Sequence, residues 1–286
     1  MNYRHAYHAG NFADVVKHVI LTRVIAYLQR KDAACFVMDT HAGIGRYDLA
    51  SVEAKKTLEA DSGIQRFMKA LPGANKAERV LLEPYSTVLR EMNPNNAVRH
   101  IPGSPEIIAR MRRRQDRCVF NELHPEDHQT LDVHHGAAGK KVEVTNLDAW
   151  IALRAKLPPF ERRGLVLIDP PFEKPSEVDD LLGGLHDALK RFATGTYLVW
   201  YPLKDTSARR QLLDGVSALS PKSALDTALF LQREAHGVFA GSGMVIINPP
   251  YVLRDELRTL LPFLLAAMAD DPARGKWATD WIVETA

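Results

Sequence analysis

Residues 34–46 read ACFVMDTHAGIGR: a short apolar run, Ala34 to Met38, ends at Asp39 and passes into a turn carrying Gly43 and Gly45. An apolar strand that runs into a glycine turn is how a ligand site opens in a parallel α/β sheet. Upstream, residues 12–30 (FADVVKHVILTRVIAYLQR) set Val15, Val16, Val19, Ile20, Val24 and Leu28 on an approximate helical stripe. Downstream the alternation of strand and helix resumes four times. Cys118 to Phe120 leads to Asn121 and Glu122, Val142 to Val144 leads to Asp148, Leu165 to Ile168 leads to Asp169, and Thr196 to Trp200 leads to Tyr201. Further strands are expected near Ala224 to Leu231, Met244 to Ile247 and Trp277 to Val283. Buried parallel strands read as continuous Val/Ile/Leu runs under helices on both faces. The fold class is therefore α/β, with one open, mostly parallel sheet.

Residues 51–103 break this rhythm. They hold no strongly apolar strand, several prolines and glycines, and helix-forming patches, and they close with IPGSP. They are expected to form an inserted, mostly helical subdomain between the two parts of the main domain, 1–50 and 104–286.

The totals exclude more than they identify. The 286 residues are 46% hydrophobic and 25% charged, an ordinary globular balance. With two cysteines, no apolar signal core at the N-terminus and no apolar run of membrane-spanning length, a reduced, cytoplasmic protein off the membrane is expected. No long apolar heptad points to obligate association, so a monomer is expected. The net charge of +2 names no partner. Residues 110–117 (RMRRRQDR) read either as a solvated helix end or as a phosphate-facing patch that Arg162, Arg163, Lys190 and Arg191 would extend.

Asp39, Glu122, Asp148 and Asp169 each follow an apolar strand, and ligands of such sheets sit beyond the carboxyl ends of the strands. Four acids converging there call for a ligand with several donors. Gly43 and Gly45 let backbone approach that ligand closely. Asp48 stands where a dinucleotide fingerprint would want its third glycine, and the next credible strand-end acid, Glu122, is too distant for its ribose contact. S-adenosylmethionine (SAM), with its ammonium, ribose hydroxyls and adenine amine, fits the acids better.

Asp169-Pro170-Pro171-Phe172 names the chemistry. The exocyclic amine of a base is a poor nucleophile because its lone pair is delocalised into the ring. A carboxylate and a carbonyl that accept its N–H bonds turn the lone pair toward an incoming methyl. The Asp169 carboxylate and the Pro170 carbonyl suit this, and the two prolines hold the backbone still. Phe172 offers a face for the base to stack on. Asn248-Pro249-Pro250-Tyr251 has the same composition, but it comes two or three strands later, toward an expected sheet edge, and reads as a structural turn. Eleven histidines include no set with cysteine or carboxylate at ligand spacing, so no metal is expected. Lys17 and His18, toward the end of the first helix, and His41 in the glycine turn are better candidates for lining the cofactor pocket.

YRHAYHAGNFADVVKH (3–18), DTHAGIGRY (39–47), PGSP (102–105), NELHP (121–125), RRGLVLIDPPFE (162–173), KRFATGTYLVWYP (190–202) and SGMVIINPP (242–250) together resemble the RlmJ family. These are bacterial enzymes that make N6-methyladenine in 23S ribosomal RNA. The resemblance implies a Rossmann-like methyltransferase domain with a helical insertion, SAM as donor and adenine 2030 of the rRNA as target. It implies SAM contacts at His18, His41, Ser104, Glu122, Asp148 and Asp169, and a backbone contact at Ala149, where a close relative would have glycine. It makes Asp169 the catalytic acid and puts Tyr3, with Lys17, on the RNA side. The motif often ends in tyrosine in such enzymes; Phe172 keeps the stacking face and loses the phenol. Some guanine-N2 enzymes carry Phe there as well. Protein-free RNA or an early assembly intermediate is the expected substrate, with DNA amine methylation and a non-catalytic RNA-binding role as the alternatives.

Overall fold

A computed structural model describes residues 4–95, 97–233 and 238–284. The first half of the chain forms α1 (Phe12–Leu28), β1 (Phe36–Asp39), β2 (Arg46–Asp48), α2 (Val52–Thr57), α3 (Glu59–Ser62), α4 (Ile64–Ala70), α5 (Lys76–Met92), β3 (His100–Pro102), α6 (Ser104–Met111), β4 (Arg117–Asn121), α7 (Pro125–His135) and β5 (Val142–Thr145). The second half adds α8 (Ala149–Lys156), β6 (Gly164–Ile168), α9 (Glu177–Arg191), β7 (Thr196–Leu203), α10 (Thr206–Ala218), β8 (Ala224–Phe230), β9 (Gly241–Ile247), α11 (Leu253–Met268) and β10 (Lys276–Val283).

Eight strands make one sheet in the order β10-β8-β9-β7-β6-β1-β4-β5. The stretch from β5 to β7 is parallel, whereas β9 lies antiparallel to both β7 and β8, and β10 antiparallel to β8. The strands are apolar throughout because both faces are covered. Val37, Leu165 and Leu167 face one helical layer, and Met38, Val166 and Ile168 the other, as the two-residue period of a strand requires. From β1 the chain steps outward through β4 to β5 and returns to β6 on the other side of β1. The order reverses between β1 and β6, and a crevice opens there beyond the strands' carboxyl ends.

Three sequence expectations need correction. First, α1 is buried on nearly every side rather than along one stripe, Asp14, Lys17, His18, Thr22 and Arg23 included. It runs between the sheet and the outer helices α5 and α11, and its charges stay buried because each is paired. Lys17 accordingly sits in the second turn, not toward the helix end. Second, β9 is an interior strand. Ile247 pairs with Tyr197 at the start of β7, so Asn248 lies at the opposite edge of the sheet from Asp169. Its amide donates to the carbonyls of Ala193 and Gly195, the work of a structural turn. Third, the arginine run 110–117 belongs to the amino-terminal edge, away from the crevice. Arg113 bonds Asp116 and the carbonyls of Gln29, Lys31 and Ala33, Arg110 bonds Glu106 and Glu91, and Arg117 bonds Glu161. These guanidiniums tie loops together instead of facing phosphate.

Within 51–103, Asn75 caps α5 in a reciprocal box with Glu78, and β2 pairs with β3 where the segment leaves and rejoins the main chain. Its buried Ile64, Phe67, Leu82 and Leu89 fall in one apolar cluster with Val16 and Ile20 of α1 and Leu257 of α11. Among the described residues no helix is long and apolar enough to cross a membrane.

Candidate active site

A cavity of about 410 Å³ occupies the crevice, the size of a small-molecule site. Its walls come from the turns after β1, β4, β5 and β6, from α1 and from the start of α6. They include Lys17, His18, His41, Gly43, Ser104, Glu122, Asp148, Ala149, Asp169 and Pro170.

The turn after β1 forms the floor. Gly43 has φ +59° and Gly45 φ +81°, the left-handed region in which glycine carries no steric cost. A Cβ on Gly43 would meet the Tyr47 hydroxyl at 2.4 Å, so the cradle has no room for a side chain. Glu122 holds the turn from the next strand. Its Oε2 accepts from the Gly43 N–H at 2.8 Å and its Oε1 from the His124 N–H at 2.8 Å. Burial raises the Glu122 carboxyl above its ordinary range against these two bonds. Asp148 is the N-cap of α8; its Oδ1 accepts from Trp150 N at 3.0 Å and Ile151 N at 3.2 Å. The helix start thus aims this acid at the cavity.

Asp169 directly follows β6 and meets Lys17, whose Nζ lies 2.5 Å from Asp169 Oδ2 and 2.9 Å from Asp14 Oδ1. Asp14 Oδ2 in turn takes the His5 imidazole at 2.9 Å and the Gly10 N–H at 2.8 Å. Burial opposes the Lys17 ammonium, but Asp14 and Asp169 outweigh it and hold its pKa well above the ordinary lysine range. Burial would likewise raise Asp14, yet His5 and Lys17 bring it well below the ordinary carboxylate range. A relay of fixed charges therefore leads from the amino-terminal segment to the end of β6.

Several buried polar atoms lack partners, and each costs free energy until something binds it. Neither ring nitrogen of His18 has a hydrogen bond, nor does Asp39 Oδ2. Burial drives His18 down to about 3 and His41 to about 4, so both imidazoles are neutral; it pushes Asp39 up to about 7. The unpartnered His18 imidazole, seven lining acids with Glu122, Asp148 and Asp169 among them, and a backbone cradle without side chains suit a ligand that carries an ammonium, hydroxyls and an amine. SAM meets that description. Among the described residues no group of three or more His, Cys, Asp or Glu could hold a metal ion.

A family model described as "Ribosomal RNA large subunit methyltransferase D, RlmJ" matches residues 32–283. The chain belongs to the RlmJ family. It is 36% identical over 285 residues to ribosomal RNA large subunit methyltransferase J of Haemophilus influenzae, covering 99% of each chain. It is 37% identical over 288 residues to the Escherichia coli K12 protein of the same name, again covering 99% of each. The crystal structure of protein LPL1258 from Legionella pneumophila superposes with a TM-score of 0.87 at 34% identity, covering 96% of this chain and 98% of that one.

In this RlmJ-family chain the structure brings together nearly all the residues singled out from sequence. His18, His41, Gly43, Ser104, Glu122, Asp148, Ala149, Asp169, Pro170 and Lys17 all line the cavity. Asp39 does not. It is fully buried behind the wall, where the His41 N–H donates to its Oδ1 at 3.2 Å. Phe172 does not line the cavity either. Its backbone turns left-handed at φ +51°, and its ring packs edge-on against Trp200 at 5.8 Å. Tyr3 lies outside the described residues. Sequence reading missed Asn121, fully buried at the end of β4. Its amide donates to Thr40 O at 3.1 Å and Leu147 O at 2.9 Å, and its Oδ1 accepts from Leu147 N at 3.1 Å, which joins three of the cavity's loops. A polar residue closing an apolar strand was the available signal. His5 and Asp14 were missed too; only the fold brings them to Asp169.

Proposed function

We propose that this chain methylates N6 of an adenine in 23S ribosomal RNA, with adenine 2030 as the target by family resemblance. The observation that carries the reading is Asp169-Pro170 at the wall of the cavity of about 410 Å³, with Lys17 on one oxygen of the carboxylate. SAM supplies a methyl group on a sulfonium, ready for in-line displacement. The protein's own groups then do three things. The Gly43–Gly45 backbone and Glu122 seat the ribose side of the donor, and Asp148 receives its adenine. Asp169 Oδ1, which no described residue engages, and the Pro170 carbonyl accept the two N–H bonds of the target amine and aim its lone pair. Lys17 fixes the Asp169 carboxylate in that orientation, so the acceleration comes from positioning and preorganised electrostatics. With the donor bound, the amine nitrogen would take its methyl, the sulfonium would leave as the neutral thioether, and the surplus amine proton would pass to solvent.

The target base has to leave its stack to reach a cavity this deep in the sheet edge. Phe172 can meet that base only at the rim, from its place against Trp200. Protein-free RNA or an early assembly intermediate exposes such a base, and a monomer in the cytoplasm suffices for the reaction.

The test is methyl transfer from labelled SAM to protein-free 23S rRNA, followed by nucleoside analysis. Labelled N6-methyladenosine is expected. N2-methylguanosine would retain the fold and overturn the base, label found only in DNA would overturn the substrate, and tight RNA binding without SAM affinity would revert the chain to a non-catalytic RNA-binding protein.

A further inference from the structure

Four aromatic side chains form a row beside the cavity. Phe172 meets Trp200 at a centroid distance of 5.8 Å, Trp200 meets Phe239 at 6.5 Å, and Phe239 meets Phe12 at 5.0 Å. They come from four separate segments: the turn after β6, β7 itself, the β8–β9 connection and the first residue of α1. All four are half-buried. The core treats its large rings differently and seals Tyr85, Tyr197 and Phe120 completely. Phe12 and Trp200 rest on one core cluster and Phe172 on the other, yet each of the four rings keeps part of its surface open at the same place.

The topology explains why the place is this one. Because β9 is antiparallel to β7, Gly241 pairs with Leu203 and the β8–β9 connection falls at the same edge of the sheet as Asp169. The row is joined to the cavity at both ends. Phe172 directly follows Pro170 and Pro171 of the wall, and Phe12 opens the helix that carries Lys17. Two exposed cations belong to the same edge: Lys204, directly after β7, and Arg233, in the β8–β9 connection.

The geometry points to a binding surface for single-stranded RNA, on which bases flanking the target nucleotide stack along Phe172, Trp200 and Phe239 while the target base occupies the cavity. This rests on the RNA reading above and adds the form of the substrate. Aromatic faces backed by cations hold single strands with little regard to sequence, since every base has a π-face. A duplex keeps those faces inside its own stack and offers mainly phosphates and 2′-hydroxyls. The phosphate-binding alternative is weakened, because the arginine run lies at the far edge of the sheet and Arg110, Arg113 and Arg117 are held in intramolecular bonds there. A surface continuous with the pocket that extrudes a base is where the neighbouring bases must pass.

The experiment compares wild type with Phe239→Ala and Phe239→Tyr, on a 23S rRNA fragment around the target that is either unpaired or locked into a duplex. Phe239 is half-buried against Phe12 and Trp200, so its truncation should lower the melting temperature by a few degrees, and the kinetics are measured well below it. Phe239→Ala is expected to raise the RNA KM for the unpaired fragment about tenfold, with SAM affinity by calorimetry and kcat at saturating RNA unchanged. Phe239→Tyr should restore the wild-type KM, and the duplex should be a poor substrate for all three proteins. RNA should also quench part of the tryptophan emission in wild type, and Trp200→Phe should remove that part. An unchanged RNA KM in Phe239→Ala, or quenching that persists in Trp200→Phe, overturns the surface. A loss of SAM affinity in Phe239→Ala also overturns it, since the row would then only buttress the pocket. Wild type that methylates neither form of RNA sinks the RNA reading itself, before any variant is compared.

Discussion

Asp169 illustrates how much one side chain depends on its neighbours. Lys17 pins Oδ2 at 2.5 Å, and that ammonium is in turn shared with Asp14. On the proposed reading Asp169→Ala takes away the acceptor for the target amine, and methyl incorporation should fall by on the order of a thousandfold, the scale seen when a preorganised transition-state contact is lost. Calorimetric SAM affinity should change far less; an activity loss matched by an equal loss of SAM binding would reassign Asp169 to the cofactor. The buried imidazoles give a second prediction. His18 is pushed down to about 3, and His41 and His135 to about 4, chiefly by burial. Their folded pKa values lie below the unfolded value, so the stability they contribute is complete above about pH 6.5 and is lost as pH falls toward 4, at about 1.4 kcal/mol per unit of depression. Asp39, raised to about 7 by burial, acts in the opposite sense. Its contribution is complete below the unfolded carboxylate value and is lost as pH rises through about 7. Three groups oppose one. Urea unfolding of the cofactor-free protein should therefore show stability dropping between pH 6.5 and 4, less steeply in His18→Gln and more steeply in Asp39→Asn. A flat profile in wild type would contradict neutral burial of these histidines.

At the scale of elements, α1 is held by paired charges as much as by apolar contact. Arg23 Nε and Nη2 bond Glu256 Oε2 and Oε1 of α11, both at 2.9 Å, and its Nη1 donates to Leu81 O of α5 at 3.3 Å. Both side chains are nearly closed to solvent, so Arg23→Ala strands a buried carboxylate. The unfolding free energy should fall by about 3–5 kcal/mol. The double replacement Arg23→Met with Glu256→Leu should cost clearly less, and equal losses would mean that the bridge itself, rather than the stranded charge, sets the stability. The glycine turn supports a different test. A Cβ on Gly45 would lie 2.7 Å from His135 Nε2 while the backbone stays at φ +81°. Gly45→Ala should cost about 1–2 kcal/mol of stability from the left-handed conformation alone. The displaced turn should also weaken SAM binding, read by calorimetry; unaltered affinity would show that the turn does not form the cofactor's floor.

At the scale of the whole molecule, the segment 51–103 is bound into the main core. Phe67 and Leu89 pack in one cluster with Val16 and Ile20 of α1, and Arg66 Nη1 donates to Met268 O of α11 at 2.9 Å. Cutting out 51–103 and bridging residues 50 and 104 with a short linker would expose the outer side of α1 and α11. We expect a poorly soluble product without cooperative melting, and loss of SAM binding because α1 carries Lys17 and His18. A soluble remnant that melts cooperatively and binds SAM would establish the segment as a separable unit. The charge distribution also belongs to this scale. Arginines 110, 113 and 117 are bonded within the amino-terminal edge of the sheet, so the RNA surface proposed above lies at the opposite, carboxyl-terminal edge with the aromatic row.

The parallel strands, the glycine turn and the acids at the strand ends could be read in the sequence because each is a local pattern: a continuous apolar run, a backbone that only glycine accepts, an acid at a fixed offset. The motif Asp169-Pro170-Pro171-Phe172 was legible for the same reason. What a local pattern cannot carry is the direction in which neighbours approach. Tertiary structure alone buried α1 on nearly every side, placed β9 inside the sheet, turned Phe172 toward Trp200 and tied Arg110, Arg113 and Arg117 to intramolecular carbonyls and carboxylates. It also joined His5, Asp14 and Lys17 to Asp169 across some 150 residues of chain. Those outcomes depend on which surfaces remain to be covered once the sheet has formed, and burial and charge pairing settle them between segments distant in sequence.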